Sequence, residues 1–540
     1  MNAKTILIFS AAVACAALFF AEGYVFVRQL GAQEDEVLFA SPLLRPFEAT
    51  AWVAVAGKQV PLMILPYAGA LKSIVYKPIL KAWPPDVRVL RVPMLLLGTA
   101  TVFLFFLYFR LVLGNAGGLA AMALLVTEAS FVVTTVLDWG ILAVQHFLAA
   151  VALLLFVVFH RTGKRLYLGA ALFACGVAMW DKVTFVWVLA GWLAGAIVAY
   201  GPEMAGHLRR HVVRLSIGCL VLGALPLIYY NVKDTAGTFR ESGGMELPKA
   251  FKISVLWKTL DGSALFGYFS PSSVPPKPRT PATDVEDTAV WLSEITGEQE
   301  HHGLLAACLA SIVVMFFLKG GPERKLMKFC LVAFAVGWAA MLPFSMGGKG
   351  SHHVLLLWPL PQMLVAAALI GLARRYGRQA ILALAIACLL AAGGVLVTNE
   401  YYAQIVTRGT TDHWSDAVFF LRELMARTPA KGIYPVDWGI MGPLRFLGRG
   451  TLQLQFTHYL QNPGPESSQE SFQIQSIARD PHNYFVYYWE RSQHPNEGLS
   501  RLRKATAEAG LRESVYARIP DRLGRTVFIV SRFVPASEGQ

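Results

Sequence analysis

The sequence predicts a mainly α-helical membrane protein with about eleven transmembrane helices and a C-terminal α/β domain. Of its 540 residues, 55% are hydrophobic and only 15% are charged, whereas a soluble domain carries about 25% charged residues. Long apolar stretches recur over the first 400 residues, and the mean hydropathy is +0.48. The formal charge is +13, from 48 Lys and Arg against 35 Asp and Glu. This composition excludes an ordinary cytosolic enzyme and a disordered chain.

The membrane spans follow from the apolar stretches, because a bilayer core requires about 20 apolar residues per helix. The fifth and seventh predicted spans are short. The first could be taken for a signal peptide, but it has no clear small-x-small cleavage site and ten spans follow it, so we predict that it is retained. The predicted spans are 5–22, 91–113, 116–137, 139–159, 166–180, 183–200, 215–230, 303–318, 329–346, 354–372 and 380–397.

The basic residues indicate the orientation of these spans. Every second connection is short and rich in Lys and Arg, as in 161–165, 319–328 and 374–378, which is the pattern of cytoplasmic loops. We therefore predict a multi-pass protein of the inner (cytoplasmic) membrane with a cytoplasmic N-terminus and a periplasmic C-terminal region. The excess positive charge then orients helices, and nucleic acid is not predicted as a partner.

Three larger segments lie on the predicted outer side. We predict a membrane domain over 1–400 with outer loops 23–90 and 231–302, and an outer α/β domain over 401–540. The second loop is irregular around Pro271–Pro276 and has a short helix near 285–296. In the tail, periodicity predicts helices at 414–427 and 497–509 and strands at 432–438 and 525–534.

The first group of candidate catalytic residues directly follows the first span, where the sequence reads Glu34-Asp35-Glu36. Desolvation and mutual repulsion raise the pKa of at least one such acid, which is what a general base requires. A solvated acidic loop is the alternative interpretation. Further candidates, all in or at the ends of spans, are Glu128, Asp138, Asp181 and Lys182. For Glu128 the alternative is a carboxylate paired between helices.

A second group lies in the loop before the tenth span, which reads Gly347-Gly-Lys349-Gly-Ser-His352-His353. Glycines allow close approach of backbone N–H groups to an anion, and Lys349 with the two histidines adds positive charge or donors. Adjacent histidines rarely both reach one metal ion, and none of the six cysteines forms a CxxC pair, so no metal ligands are predicted.

The stretch Lys58–Pro78 mixes aromatic, aliphatic and basic residues at helical spacing, which predicts an interfacial amphipathic helix. Acids for proton abstraction and a basic cluster for an anionic leaving group thus share the outer face. Because a periplasmic surface has no nucleotide pool, an activated donor there would be carried on a lipid.

This pattern resembles the GT-C class of membrane glycosyltransferases, most closely the bacterial branch of protein O-mannosyltransferases and the lipid A aminoarabinose transferase. Asp35-Glu36 matches the acidic pair of the first outer loop, and Tyr67 to Lys72 matches a juxtamembrane segment. Asp138 matches the second acid, and His352-His353 with Pro359 matches the late loop. The His-His pair departs from the Arg-Tyr-type pair common there, which leaves the phosphate-binding residue open.

The resemblance implies outer-side juxtamembrane helices and inverting transfer of a sugar from a polyprenyl-phosphate donor to an acceptor hydroxyl. It implies that Asp35 is the general base and that Glu36 positions a substrate or shares the proton. The residues expected to bind the donor phosphate are Lys182, Lys349, His352 and His353. Those expected to position the acceptor are Asp138, Asp181, Glu128, Tyr67 and Lys72. The sugar, the acceptor (lipid, glycan or protein) and dependence on a divalent metal stay open.

Three other functions remain as alternatives. A transporter places paired charges near mid-bilayer at broken helices, whereas most acids here lie at the outer boundary. An O-antigen ligase or polymerase also uses a lipid-linked sugar, but it relies on Arg and His in a large late loop. A non-catalytic sensor or scaffold is the third.

Overall fold

The computed structural model describes residues 3–44, 49–205, 210–272, 279–377, 380–461, 467–493 and 495–536. Arg378 of the predicted basic connection 374–378, and residues 273–278 of the predicted Pro-rich loop, lie outside the described residues. Statements about the structure below refer to the described ranges.

Helices form most of the chain up to residue 408, and one small sheet interrupts them. The first part contains α1 (Ala3–Tyr24), α2 (Glu34–Val37), β1 (Ala51–Val55), β2 (Lys58–Leu65), β3 (Ala68–Gly69), α3 (Leu71–Ala82), α4 (Val87–Val126), α5 (Ala129–Leu137), α6 (Ala143–Thr162) and α7 (Arg165–Asp181). The second contains α8 (Phe185–Ala205), α9 (Arg210–Gly223), α10 (Leu225–Lys233), α11 (Gly237–Ser242), α12 (Phe251–Asp261) and α13 (Asp284–Thr296). The third contains α14 (Leu304–Phe317), α15 (Pro322–Met341), α16 (Ser351–Leu355), α17 (Leu360–Tyr376) and α18 (Ala380–Arg408).

The spans are confirmed only in part. Among the described residues, five helices are long and apolar enough to cross a membrane, namely α1, α4, α6, α8 and α18. The bent pair α9–α10, with an angle of 67° between its helices, makes a sixth if it is one span. Helices lie over all eleven predicted ranges, but several are short, so the number eleven stays a prediction.

The predicted second and third spans are joined by a sharp break at Gly114, whose φ is 75°. A Cβ at Gly118 would lie 3.0 Å from the backbone of Arg110, a proximity that requires the chain to reverse direction between them. The third span is itself broken, because α4 ends at Val126 and α5 begins at Ala129. Glu128 is the N-cap between them.

The interfacial helix predicted over Lys58–Pro78 is wrong in its first half. There the chain forms an antiparallel three-stranded sheet in the order β1-β2-β3, and the helix begins only at Leu71. Ala56 and Gly57 both have positive φ, 49° and 75°, which favours the tight turn of a β-hairpin. Pro61 and Pro66 oppose a helix, since proline lacks the N–H that a helix interior requires.

The tail forms a mixed α/β unit. Its elements are α19 (Ala417–Arg427), β4 (Gly432–Pro435), α20 (Met441–Leu447), α21 (His458–Gln461), α22 (Ser468–Ala478), β5 (Asn483–Tyr488), α23 (Trp489–Gln493), α24 (Glu497–Glu508), β6 (Leu511–Pro520) and β7 (Thr526–Pro535). The sheet order is β4-β5-β7-β6, with β4 parallel to β5 and the other pairs antiparallel. The predicted tail elements agree with α19, β4, α24 and β7 to within a few residues, and α18 runs through the predicted boundary at 400–401.

Contacts between the tail and the first outer loop hold the two together. Gly31 donates its backbone N–H to Trp414 O at 2.7 Å, and Gly442 N donates to Glu34 Oε2 at 3.0 Å. Arg522 donates to Gln29 Oε1 at 2.6 Å. The tail thus lies directly against the segment that carries the acidic cluster.

Candidate active site

The acidic cluster forms the short helix α2, which begins where Gln33 Oε1 accepts from Asp35 N at 2.7 Å. Successive residues of a helix point about 100° apart, so the three acids face three different surroundings. Glu34 faces the tail at Gly442, and Glu36 is buried in the protein. Asp35 is half-buried and faces the lysines described below.

Glu36 is paired with the fully buried Arg91. The guanidinium donates to both carboxylate oxygens, at 2.6 and 2.9 Å. It also donates to three backbone carbonyls of the first outer loop, those of Val27, Leu30 and Gly31. This bidentate pairing holds α2 to α4. The role that the resemblance implies for Glu36, positioning a substrate or sharing the proton, stays a prediction.

Asp35 lies among basic and phenolic groups. Burial raises the pKa of its carboxyl above the ordinary value, and the nearby Lys182 and Lys72 lower that pKa in part. Burial, together with the Asp35 charge, raises the pKa of Tyr67 to about 12. The same two effects raise the pKa of Tyr268 above its ordinary value. Tyr268 lies in the second outer loop, and sequence reasoning missed it because no motif marks an isolated tyrosine.

Lys72 and Asp138 form a buried ion pair. The Lys72 ammonium also lies 5.0 Å from the ring centroid of Phe39 and 5.4 Å from that of Tyr76. Asp138 is the left-handed C-cap of α5, and its Oδ1 accepts from Ala143 N at 2.9 Å. The pair therefore fastens α3 to the junction between α5 and α6.

Asp181 and Lys182 lie at the C-terminal end of α7, next to the cluster. Gln145 Nε2 donates to Asp181 Oδ2 at 2.7 Å, and Lys182 Nζ donates to the carbonyl of Gly140 at 2.6 Å. An isolated β-bridge between Ala68 and Lys182 connects this turn to the first outer loop. The carboxylates of Asp35, Asp181 and Asp138 all act on the Lys182 ammonium through space.

The two histidines of the late loop lie close to Lys182 and so form a further side of the cluster. The His352 ring centroid lies 4.5 Å from that of Trp139 and 4.1 Å from that of His353. Burial lowers the pKa of both imidazoles, that of His353 to about 3, and Lys182 adds to the effect. They are therefore neutral donors or acceptors, so of the positive charge or donors predicted for this loop the two histidines supply donors. Within the described residues, Nδ1 of each ring is buried without a hydrogen-bond partner.

Lys349 lies at the rim of the site. Its ammonium is 3.7 Å from Glu246, which also contacts Lys249 at 2.9 Å and Lys252 at 3.5 Å. Lys252 lies on α12 and is buried, and its charge acts on His353. Sequence reasoning missed Lys252 because the second outer loop was predicted as irregular, although Lys249 and Lys252 at helical spacing pointed to a helix face.

Glu128 does not join the cluster. Its oxygens accept from Ser130 N and Phe131 N at 3.3 and 2.7 Å, as an N-cap does. It also lies 3.4 Å from the imidazole of His302, which precedes α14. These contacts are those of the alternative interpretation, a carboxylate paired between helices, and the acceptor-positioning role of Glu128 stays a prediction.

The structure therefore brings together Asp35, Tyr67, Lys72, Asp138, Asp181, Lys182, His352 and His353 from five separate parts of the chain. A half-buried carboxylate, flanked by lysines and neutral imidazoles, can take a proton and stabilise an anion in the same place. No group of three or more His, Cys, Asp or Glu in the described part of the chain could hold a metal ion, so no firm cofactor is supported.

No protein-family profile and no curated protein sequence matches the chain. Among solved structures it is similar to ArnT from Cupriavidus metallidurans bound to undecaprenyl phosphate, with a TM-score of 0.57 and 13% identity over 98% of both chains. It is also similar to the oligosaccharyltransferase of Archaeoglobus fulgidus in complex with Zn and sulfate, with a TM-score of 0.51 and 13% identity over 89% of this chain and 68% of that one. At this identity the likeness shows the fold. The chain therefore has the fold of the GT-C membrane glycosyltransferases, the class that its sequence resembles.

Proposed function

We propose that this protein is a membrane glycosyltransferase that moves a sugar from a polyprenyl-phosphate donor to an acceptor hydroxyl. The observation that carries the proposal is the environment of Asp35, which is half-buried on α2 with Lys72 and Lys182 acting on its carboxylate. The fold supports it as well, because ArnT, the solved structure of greatest overlap among those named above, was crystallised with undecaprenyl phosphate.

In the proposed reaction, Asp35 takes the proton of the acceptor hydroxyl while the hydroxyl oxygen attacks the anomeric carbon of the sugar. The bond from that carbon to the phosphate oxygen breaks, and its electron pair leaves with the polyprenyl phosphate. Attack from the face opposite the leaving group inverts the anomeric configuration. The raised pKa of Asp35 suits a base, because proton transfer is most efficient when the pKa is near the working pH.

The leaving phosphate requires stabilisation as its charge develops, and Lys182 is the residue best situated to provide it. Its ammonium is held by the Gly140 carbonyl and is close to both Asp35 and the histidines. The unpartnered Nδ1 atoms of His352 and His353 can donate hydrogen bonds to phosphate oxygens in the neutral state. Lys349 would guide the anion at the rim, and the buried Lys252 would add its positive charge behind His353.

The remaining residues of the cluster hold the reacting groups in position. Lys72 and Asp138 neutralise each other and fix α3 beside the site, Gln145 holds Asp181, and Tyr67 contacts the acceptor. Both substrates would enter from the membrane or its outer surface, and we propose that this surface is the periplasmic one. The acceptor is a lipid, a glycan or a protein.

Replacing Asp35 tests the proposed function. Asp35→Asn keeps the shape of the side chain but removes the base, so transfer from a radiolabelled polyprenyl-phosphate sugar to membrane acceptors should fall about 10²- to 10⁴-fold. Glu241→Gln removes an exposed acid and serves as the matched control, with transfer unchanged. Transfer by Asp35→Asn at the rate of the control would show that the base is another residue. Sugar flux without a covalent product in proteoliposomes would instead favour a transporter.

A further inference from the structure

A cavity of about 370 Å³ lies between α1, α13 and α18. Its walls include Glu22 and Val25 at the end of α1, Ala289 on α13, and Val395 and Tyr402 on α18. None of its lining residues belongs to the candidate active site around Asp35. Its volume is within the range of sites for small molecules, which are mostly apolar with a few polar groups.

Glu22 is the unusual member of this wall. Both of its carboxylate oxygens are buried, and neither has a hydrogen-bond partner within the described ranges. Burying a charged carboxylate without a donor is costly, so such a group either keeps its proton or takes a complementary donor, and an ammonium in the cavity would be such a donor. Asp284, exposed at the first turn of α13, also lines the cavity, and no basic side chain is among the lining residues that the structure describes.

The cavity walls are held by contacts that do not use the Glu22 carboxylate. Asn399 Nδ2 donates to the carbonyl of Ala289 at 2.9 Å and so connects α18 to α13. Gln29 Nε2 donates to the Tyr402 hydroxyl and to Glu286 Oε1, each at 3.0 Å. The cavity is therefore formed before a ligand arrives, which lowers the entropic cost of binding.

We propose that this cavity is a second lipid site, which binds an amphiphile with an ammonium head group. The nitrogen would donate to the carboxylate of Glu22, and Asp284 at the rim would add attraction for the positive charge. The apolar chain would lie along Val25, Val285 and Val395. A bilayer lipid that merely touches this surface would show no preference for a cationic head group, which distinguishes the two situations. The proposal does not depend on sugar transfer.

Photo-labelling of the full-length protein in phosphatidylcholine nanodiscs tests the proposal. Three probes share a twelve-carbon chain with a diazirine and differ only in the head group, which is an amine, an alcohol or a carboxylate. Peptide mapping by mass spectrometry then measures the labelling of residues 395–402. We expect labelling by the amine to exceed that by the other two probes about tenfold, as one hydrogen bond to a charged group predicts.

Variants assign the preference to Glu22. Glu22→Gln should reduce amine labelling to the level of the alcohol, whereas Glu294→Gln, at an exposed acid on α13, should leave it unchanged. Val395→Trp fills the cavity and should reduce labelling by all three probes. Equal labelling by the three head groups, or an amine preference that survives Glu22→Gln, would overturn the proposal. Because the readout is labelling and not transfer, it is independent of the outcome for Asp35→Asn.

Discussion

At the scale of single residues, the three consecutive acids of α2 carry the same functional group but have different partners. Glu34 connects to the tail, Glu36 is paired with Arg91, and only Asp35 faces the lysines. The acidic cluster itself was predictable from the sequence. Three acids next to an apolar span are costly to bury unless other groups pair with them, so a pattern of this kind marks a candidate site. Which acid faces the site was not predictable, since the partners Arg91 and Gly442 are distant in sequence.

The raised pKa of Asp35 predicts a stability effect of opposite sign to its effect on activity. The pKa of the Asp35 carboxyl is higher in the folded state than the ordinary value of 3.8. Its protonated form therefore stabilises the fold at pH values below 3.8, and this stabilisation is lost as the pH rises through the pKa of the folded state. At neutral pH the charged Asp35 therefore destabilises the fold. Asp35→Asn should raise Tm at pH 7, and the gain should shrink toward pH 4. Thermal unfolding of purified protein at several pH values measures this, and a lower Tm for the variant at pH 7 would contradict it.

The two lysines predicted to bind the donor phosphate, Lys182 and Lys349, differ in burial and therefore predict different losses. Lys182 is buried and held beside Asp35, whereas Lys349 is 35% exposed and 3.7 Å from Glu246. Lys182→Met should lower the transfer rate about 10²- to 10³-fold, as removal of a donor to a developing oxyanion does, and Lys349→Met should lower it less. Initial rates at saturating donor, with the exposed Lys164→Met as the control, measure the difference. Equal losses for Lys182→Met and Lys349→Met would contradict this ranking.

At the scale of elements, the sequence predicts the apolar helices well and the first outer loop poorly. Composition suffices for helices such as α6 and α8, because apolar length alone decides whether a segment can cross a bilayer. The hairpin of β1 and β2 instead depends on the two-residue turn at Ala56 and Gly57, both of which have positive φ values. The helix predicted over Lys58–Pro78 did not take this turn into account. Likewise, the contact of Glu128 with His302 joins residues that are 174 positions apart, so no local pattern could predict it.

The attachment of α2 to α4 predicts a large stability effect at Arg91. Removing one partner of a buried ion pair leaves the other uncompensated, at a cost of about 3–5 kcal/mol. Arg91→Met should therefore lower the thermal stability strongly, and Glu36→Leu with Arg91→Met should recover part of the loss. Arg88→Met is the matched control, because Arg88 lies one turn earlier on α4 in an exposed pair with Asp86 at 3.1 Å, worth about 0–1 kcal/mol. Thermal unfolding followed by tryptophan fluorescence gives the comparison, and equal shifts for the two arginine variants would contradict the role of Arg91.

At the scale of the whole molecule, the candidate site forms only because distant segments meet. The first outer loop contributes three residues to it, and the α5–α6 junction, the α7–α8 turn and the late loop each contribute one or two. The sequence indicated that these segments share one face of the membrane, and the structure brings most of them into one cluster. Lys252 and Tyr268 were missed, because nothing local marks a residue whose role depends on packing against another loop.

The predicted orientation in the membrane can be tested on the full chain. Connections rich in Lys and Arg favour the cytoplasmic side, so the excess of 48 basic over 35 acidic residues predicts a cytoplasmic side for Lys164 and Lys319. The opposite side is predicted for Asp287 and Glu508. Each of these exposed residues is replaced by cysteine, and intact spheroplasts are treated with a membrane-impermeant maleimide. We expect labelling of Asp287→Cys and Glu508→Cys in spheroplasts, and of Lys164→Cys and Lys319→Cys only after lysis, above the background of the unsubstituted protein. Labelling of Lys164→Cys in intact spheroplasts would reverse the orientation, and Asp35 would then lie on the cytoplasmic side, where nucleotide-linked donors are available.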